Sequence, residues 1–376
     1  MCKLLLISHS GRFCSAGTLL YRCASVLRGF GVKLYVCFSR EAPIPEVELA
    51  YRDLDASVVS RPFPDVDLIL ANTQANANVV AQLGEEFRDT PVILWFHEAW
   101  PPKEPPVLHR AINRTCALIF QSTFQRDTIY REFLGESNKR IYIIPNAVPF
   151  NDGGTVDLAN RLPLKIAAVG AIQKRKRQAD LIRAVEELEL PLECWIVGPI
   201  KDDIIDLNRI TKSDVYSFHF TGEVTNDVAR SIIKDADLIV HPSECESQSL
   251  TVLEAMVYAK PLLLADLPVY SSQYLEHGVN CWTYPIGDIN LLKENLRKLL
   301  SNQPLRRKLG IAAHQTYLQK FGMDQFDRQI AYAIADVLLK FRAIDLKGDL
   351  RMSDRGLKAP DVYGKETGFD QGSTLA

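Results

Sequence analysis

Two glutamates, Glu246 and Glu254, lie eight positions apart in HPSECESQSLTVLEAM (241–256), where a hydrophobic run meets a predicted helix. Backbone amides at the start of that helix would form an anion site beside Glu246. Acids there would repel a bound phosphate unless their role is to accept hydrogen bonds from hydroxyl groups, which carboxylates do well. The arrangement therefore suits a nucleotide sugar, which has both a pyrophosphate and polyols. The alternative is that Glu246 is a helix-start acid and Glu254 a surface residue.

A basic cluster provides a second candidate anion site. After the apolar run LKIAAVG comes AIQKRKRQADLI, which places Arg175 and Lys176 before a predicted helix. Their positive charges and the positive end of the helix can hold a phosphate together. A solvated basic turn is the alternative interpretation.

Short apolar runs, each followed by an amphipathic stretch, must position these groups. The runs are KLLLIS, VKLYVCF, VDLILAN, PVILWF, ALIFQS, IYIIPNAV, LKIAAVG, LECWIVG, YSFHFTG, ADLIVHPS and PLLLAD. This alternation predicts an α/β fold, with parallel sheets covered by helices on both faces. Ligands of such sheets bind beyond the carboxyl ends of the strands, where both candidate sites fall. A segment rich in Pro, Gly and Asp near 149–162 predicts a linker between two doubly wound domains.

Composition narrows the class of protein. A chain of 376 residues with 47% apolar content can bury about two domain cores. A net charge of −2 does not suggest a nucleic-acid partner. No stretch approaches the roughly 18 apolar residues of a membrane span, so a cytoplasmic protein is expected. The eight cysteines form no CxxC pair, which predicts reduced thiols and no zinc site.

The Glu246-x7-Glu254 motif resembles the signature of the family 4 retaining glycosyltransferases, which have the GT-B fold. The similarity extends over about residues 1–340, through IPNAV, VGAIQKRK, WIVG, FTGEV and DADLIVHPS in that order. It implies two Rossmann-like domains facing across a cleft, with the acceptor mainly on the first and the nucleotide sugar mainly on the second. The expected divisions are an N-terminal domain at 1–150, a linker at 151–162, a C-terminal domain at 163–322, a helix at 323–344 that packs back on the N-terminal domain, and a poorly ordered tail at 345–376.

The resemblance also implies roles for individual residues. Glu246 would contact hydroxyls of the donor sugar, and Glu254 those of the ribose. The arginine that often follows the glycine at position 170 is replaced by Ala171, and Arg175, or else Arg177, is hypothesised to supply its charge. The catalytic candidates are Lys176, Arg175, Glu246 and His97, and the donor-binding candidates are Glu254, Gln248, Ser249, Leu250, Gly17 and Gly170. Gly11 lies in the same loop as Gly17 and is an additional candidate for close approach of the backbone to the donor phosphates.

The implied reaction is retaining hexosyl transfer from a UDP- or GDP-linked sugar to a glycan or lipid-linked saccharide, as in polysaccharide biosynthesis. The leaving diphosphate would accept the proton of the acceptor hydroxyl. No cofactor is expected, and no metal, because no Asp-x-Asp lies at an analogous strand end. The alternatives are a GT-B sugar-nucleotide epimerase, a catalytically silent partner subunit and a pure binding module.

Four arginines, Arg110, Arg114, Arg126 and Arg131, bear on membrane contact. They either form ordinary solvated helix faces or lie toward an anionic membrane. Peripheral contact with the inner face of the membrane is therefore an additional expectation.

Overall fold

The computed structural model describes residues 1–101, 103–135, 139–149, 162–202 and 213–342. It contains two separate parallel sheets, each with its own hydrophobic core. Apart from Leu162, the predicted linker at 151–162 lies outside the described residues, as does the predicted tail at 345–376.

The N-terminal sheet has seven parallel strands in the order β3-β2-β1-β4-β5-β6-β7. Its strands are β1 (Lys3–Ser8), β2 (Lys33–Phe38), β3 (Ser57–Val58), β4 (Leu68–Asn72), β5 (Val92–Trp95), β6 (Ala117–Phe120) and β7 (Arg140–Ile143). Its helices are α1 (Ser15–Gly29), α2 (Pro45–Asp53), α3 (Ala77–Ala81), α4 (Pro105–Arg114) and α5 (Arg131–Leu134). Every residue of β4, β5 and β6 is buried, as expected for strands covered by helices on both faces.

The C-terminal sheet has six parallel strands in the order β10-β9-β8-β11-β12-β13. Its strands are β8 (Leu164–Val169), β9 (Leu192–Val197), β10 (Tyr216–Phe220), β11 (Leu238–His241), β12 (Leu262–Ala265) and β13 (Trp282–Tyr284). The helices of this half are α6 (Gln178–Glu186), α7 (Asn226–Asp235), α8 (Leu250–Val257), α9 (Pro268–Ser271), α10 (Ile289–Leu300), α11 (Gln303–Lys320) and α12 (Met323–Arg342). Within the described residues, every strand corresponds to one of the apolar runs except the short strands β3 and β13.

The direction of strand addition reverses once in each sheet. The first strand, β1 or β8, pairs with the second strand on one side and the fourth on the other. The loops that follow the two middle strands therefore diverge, and such a switch point is where open α/β sheets bind ligands. In the C-terminal sheet these are the loops after β8 and β11, which contain both candidate anion sites.

The last described helix, α12, returns to the N-terminal domain. Its residues Phe326, Ile330 and Ile334 are buried in the same core as Leu4 and Trp95. Two ion pairs also fasten it. Arg22 Nε lies 2.9 Å from Asp327 Oδ1, and Arg140 Nη1 lies 2.5 Å from Asp336 Oδ2.

Candidate active site

The residue that follows strand β8 is a glycine that lies close to the candidate lysine. Gly170 has a φ of +138°, a backbone conformation that residues other than glycine rarely adopt. A Cβ atom at this position would lie 3.6 Å from Lys176 Cε and 3.7 Å from Nζ. The loop that follows Gly170 thus brings the ammonium group of Lys176 close to the end of the strand.

The loops after β8 and β11 are hydrogen-bonded to each other. The carbonyl of Arg175 accepts from the backbone N–H of Glu244 at 2.9 Å and from the hydroxyl of Ser243 at 3.3 Å. The two anion sites predicted from separate stretches of sequence are consequently parts of one site.

Glu246 stands at the centre of this site. Its Oε1 atom lies 2.6 Å from Lys176 Nζ, 3.2 Å from His241 Nε2 and 3.4 Å from Arg175 Nη1. Only 9% of the glutamate side chain is exposed. Three donors thus converge on one carboxylate oxygen, so Glu246 is more than the helix-start acid of the alternative interpretation.

The charges of this cluster follow from burial and proximity. Burial acts to raise the pKa of Glu246, but Lys176 and the hydrogen bond from His241 outweigh it, so that pKa lies well below its usual range. Burial, reinforced by Lys176, lowers the pKa of His241. Glu246 is therefore an anion, and His241 is a neutral donor through Nε2–H.

His97 follows β5 in the N-terminal domain and has an unpaired donor. Gln121 Nε2 donates to His97 Nδ1 at 2.7 Å and to Asn146 Oδ1 at 2.9 Å. Because Nδ1 accepts, the proton of the neutral ring is on Nε2. That atom is buried and has no hydrogen-bond partner among the residues that the structure describes. Burial, with a smaller effect of His9, lowers the pKa of His97 to about 3.

The loop with Glu246 contacts the loop with His97 across the two domains. Cys245 Sγ donates to the carbonyl of Ala99 at 3.2 Å, and the hydroxyl of Ser247 donates to the carbonyl of His97 at 2.6 Å. The guanidinium of Arg175 also lies 5.4 Å from the ring centre of Trp100. The fold thus brings together all four catalytic candidates.

Helix α8 begins three residues after Ser247. Ser249 occupies the N-cap position and Leu250 is the first helical residue, so N–H groups of this turn lack intrahelical acceptors. Thr251 Oγ1 donates to the carbonyl of Val169 at 3.3 Å, which holds the helix start against the end of β8. The side chain of Gln248 has an additional contact, because its Oε1 accepts from the backbone N–H of Asn146 at 2.5 Å.

Glu254 lies on α8 and is paired with an arginine that the sequence patterns did not identify. Arg230 Nε, on α7, is 3.1 Å from Glu254 Oε1. Burial raises the pKa of Glu254, and Arg230 partly opposes this shift. Arg230 precedes Glu254 by 24 positions and no motif marks it. His241 was also missed as a contact of Glu246, although its place at a strand end just before PSECE was a usable signal.

Two further predictions concern the remaining basic and glycine residues. Arg177 pairs with Glu244 at 2.9 Å and with Asp180 at 2.7 Å, whereas Arg175 is the arginine that reaches Glu246. Gly17 lies in the first turn of α1, where a Cβ would be 2.6 Å from the carbonyl of Arg12. Packing within the N-terminal domain therefore requires this glycine, and its contact with donor phosphates stays a prediction, as does that of Gly11.

Comparison with known proteins places this site in a known architecture. Residues 163–302 match the family model for group 1 glycosyl transferases. A crystal structure of HepE from Anabaena, in complex with UDP and glucose, superposes with a TM-score of 0.74 at 19% identity, over 89% of this chain and 100% of that one. The chain has the GT-B fold. The fold class predicted from the sequence is confirmed.

Two curated relatives align with part of the GT-B chain. A poly(ribitol-phosphate) alpha-N-acetylglucosaminyltransferase of Staphylococcus aureus is 25% identical over 156 residues, which are 39% of this chain and 31% of the relative. An alpha-galactosylglucosyldiacylglycerol synthase of Streptococcus pneumoniae is 29% identical over 151 residues, 36% of this chain and 40% of the relative. The chain thus spans less than half the length of either relative.

The remaining expectations concern membranes and cysteines. Within the described ranges, no helix combines the length and apolarity needed to cross a bilayer. Arg126 forms an ion pair with Asp127 at 2.5 Å, and Arg114 donates to the carbonyl of Thr90 at 3.4 Å. All eight cysteines lie in described segments, and none of them forms a disulfide. Contact with a membrane stays a prediction.

Proposed function

We propose that this protein is a retaining glycosyltransferase of family 4, which moves a hexosyl unit from a nucleotide-diphosphate sugar to a glycan or lipid-linked saccharide. The observation that carries the proposal is the convergence of Lys176, Arg175 and Glu246 at the switch point of the C-terminal sheet. Cations suited to a diphosphate and an acid suited to sugar hydroxyls meet there, next to the loop that carries His97.

Lys176, Arg175 and the N–H groups at the start of α8 would stabilise the charge that develops on the leaving diphosphate. Removing one such preorganised donor typically lowers kcat by about 10²–10³-fold. The unpaired Nε2–H of His97 would donate to the transferred sugar, and Glu246 would accept from its hydroxyls. Glu254 would accept hydrogen bonds from the ribose hydroxyls, so that every nucleotide sugar binds with its ribose next to α8.

The diphosphate oxygen that leaves the anomeric carbon would take the proton of the attacking acceptor hydroxyl. Bond breaking and bond making then occur on one face of the sugar, so its anomeric configuration is retained. This mechanism uses no protein base. It also uses no metal, because the charge of the diphosphate is met by Lys176, Arg175 and helix-end amides.

The printed names of the relatives support the substrate class. The Anabaena structure contains UDP and glucose, which favours a UDP-linked hexose as donor. The relatives of S. aureus and S. pneumoniae are named for a poly(ribitol-phosphate) and a diacylglycerol glycolipid. Both names include an alpha-glycosyl unit, which retention produces from an alpha-linked donor. Peripheral membrane contact at a lipid-linked acceptor belongs to the same proposal.

The test is a panel of UDP-, GDP- and ADP-sugars assayed with saccharide and lipid-linked acceptors. Nucleotide release should depend on acceptor, survive excess EDTA, and give a product whose anomeric proton coupling matches that of the donor. Inverted products or loss of activity with EDTA, restored by Mg²⁺, would contradict the mechanism. Epimerised donor formed without acceptor would identify an epimerase, and nucleotide binding without any turnover would indicate a silent subunit.

A further inference from the structure

The two cations assigned to the diphosphate already have an acidic partner. Lys176 Nζ is 2.6 Å and Arg175 Nη1 is 3.4 Å from the same oxygen of Glu246. Resting on the proposed function, we infer that Glu246 competes with the donor's diphosphate for Lys176 and Arg175, and so makes the site favour the nucleotide sugar over the free nucleotide.

The competition follows from the burial of the acid. Only 12% of the Lys176 side chain and 9% of the Glu246 side chain are exposed, so water screens their attraction weakly. When a diphosphate draws Lys176 and Arg175 toward its own oxygens, the attraction between these cations and Glu246 weakens. The third partner, His241, is a neutral donor and offsets this loss only in part.

The transferred sugar provides the missing compensation. Its hydroxyl groups donate hydrogen bonds to Glu246 and replace those that Lys176 and Arg175 withdraw. A free nucleotide has no such hydroxyls at this position, so its binding leaves a largely buried carboxylate poorly paired. After transfer the sugar has moved to the acceptor, Glu246 pairs with Lys176 again, and release of the nucleotide is favoured.

The inference differs from the role expected from the sequence motif alone. If Glu246 only contacts the sugar, Glu246→Gln leaves the affinity for free nucleotide unchanged. If it competes for the cations, Glu246→Gln tightens free-nucleotide binding while weakening nucleotide-sugar binding. A change of roughly three- to tenfold in the dissociation constant of the free nucleotide is expected, the size of one partly screened charge interaction.

The experiment is calorimetric titration of the full chain with UDP, GDP and ADP and with the corresponding sugars. Glu244→Gln is the matched control, because Glu244 lies in the same loop but pairs with Arg177 at 2.9 Å. Tighter free-nucleotide binding in Glu246→Gln, with Glu244→Gln unchanged, supports the competition. In a Lys176→Gln background, Glu246→Gln should tighten binding less, since the main competing cation is gone.

If the wild type binds free nucleotide and Glu246→Gln binds it equally well or more weakly, the competition is overturned, while the proposed function is not affected. Equal tightening in Glu244→Gln also overturns it, because a general charge effect would then account for the change. A wild type that binds none of the nucleotides contradicts the proposed function as well. If Glu246→Gln does not fold, Glu246→Asp replaces it, since its shorter side chain withdraws the carboxylate from Lys176 and must also tighten binding.

Discussion

The hydroxyl of Ser247 donates to the carbonyl of His97 at 2.6 Å, although 150 positions separate the two residues. This hydrogen bond joins the loop after β11 in the C-terminal domain to the loop after β5 in the N-terminal domain. It helps to hold the loop of Glu246, next to Ser247, against the loop that carries His97. The relative placement of the acid and the imidazole thus depends on contact between the domains.

Ser247→Ala should therefore impair turnover more than nucleotide binding. Loss of the hydrogen bond weakens the domain contact by about 1 kcal/mol, while the cations that hold the diphosphate remain. We expect kcat to fall several-fold with the dissociation constant of the nucleotide nearly unchanged. Steady-state kinetics and calorimetry measure both, with Ser271→Ala as control because its hydroxyl bonds locally to Pro268. A loss confined to nucleotide affinity would contradict this reasoning.

Lys176→Gln should weaken nucleotide binding, lower kcat by about 10²–10³-fold and also destabilise the protein. The loss of stability is expected because a largely buried carboxylate loses its nearest cation, at a cost of about 1–3 kcal/mol. Urea denaturation measures this effect. Lys174→Gln is the matched control, since Lys174 belongs to the same turn but is exposed. If both variants behave alike, Lys176 has no special role.

As the pH is lowered, the nucleotide affinity of Arg230→Gln should begin to fall at a higher pH than that of the wild type. Arg230 opposes the burial that raises the pKa of Glu254, so its removal raises that pKa further. Protonated Glu254 accepts hydrogen bonds from ribose less well, and affinity should fall as pH drops through the raised pKa. Titrations from pH 8 to pH 5 check this, with Asp227→Asn, which removes the exposed second partner of Arg230, as control. If nucleotide affinity falls over the same pH range in Arg230→Gln and in the wild type, the prediction is wrong.

The free energy of unfolding should decrease as pH falls from about 6.5 toward 3, in part because of His97. The folded-state pKa of His97 is about 3, below its ordinary 6.5, so in this window only the unfolded chain binds the proton. One such group changes stability by up to about 1.4 kcal/mol per pH unit. His97→Gln should show a shallower slope below pH 6.5 and the same slope above pH 7. Identical slopes throughout would show that His97 does not titrate in this way.

The sequence by itself determined the fold class and most of the elements. Eleven of the thirteen strands of the described segments correspond to apolar runs, because strands buried on both faces are continuously apolar. The helices α10, α11 and α12 correspond to amphipathic stretches of the sequence near 288–301, 304–320 and 324–341, with bounds within two residues of them, since amphipathic periodicity is a local property. Strands β3 and β13 were missed because two or three residues form no pattern.

Local patterns also selected Lys176 and Glu246, since each lies in a loop just after an apolar strand. Only the tertiary structure decided that Lys176, Arg175 and His241 share one oxygen of Glu246, and that Arg230 pairs with Glu254. A sequence pattern reports which side of an element is buried, but not which elements become neighbours. Lys176 and Glu246 meet across 70 positions because β8 and β11 pair at the point where the order of the sheet reverses.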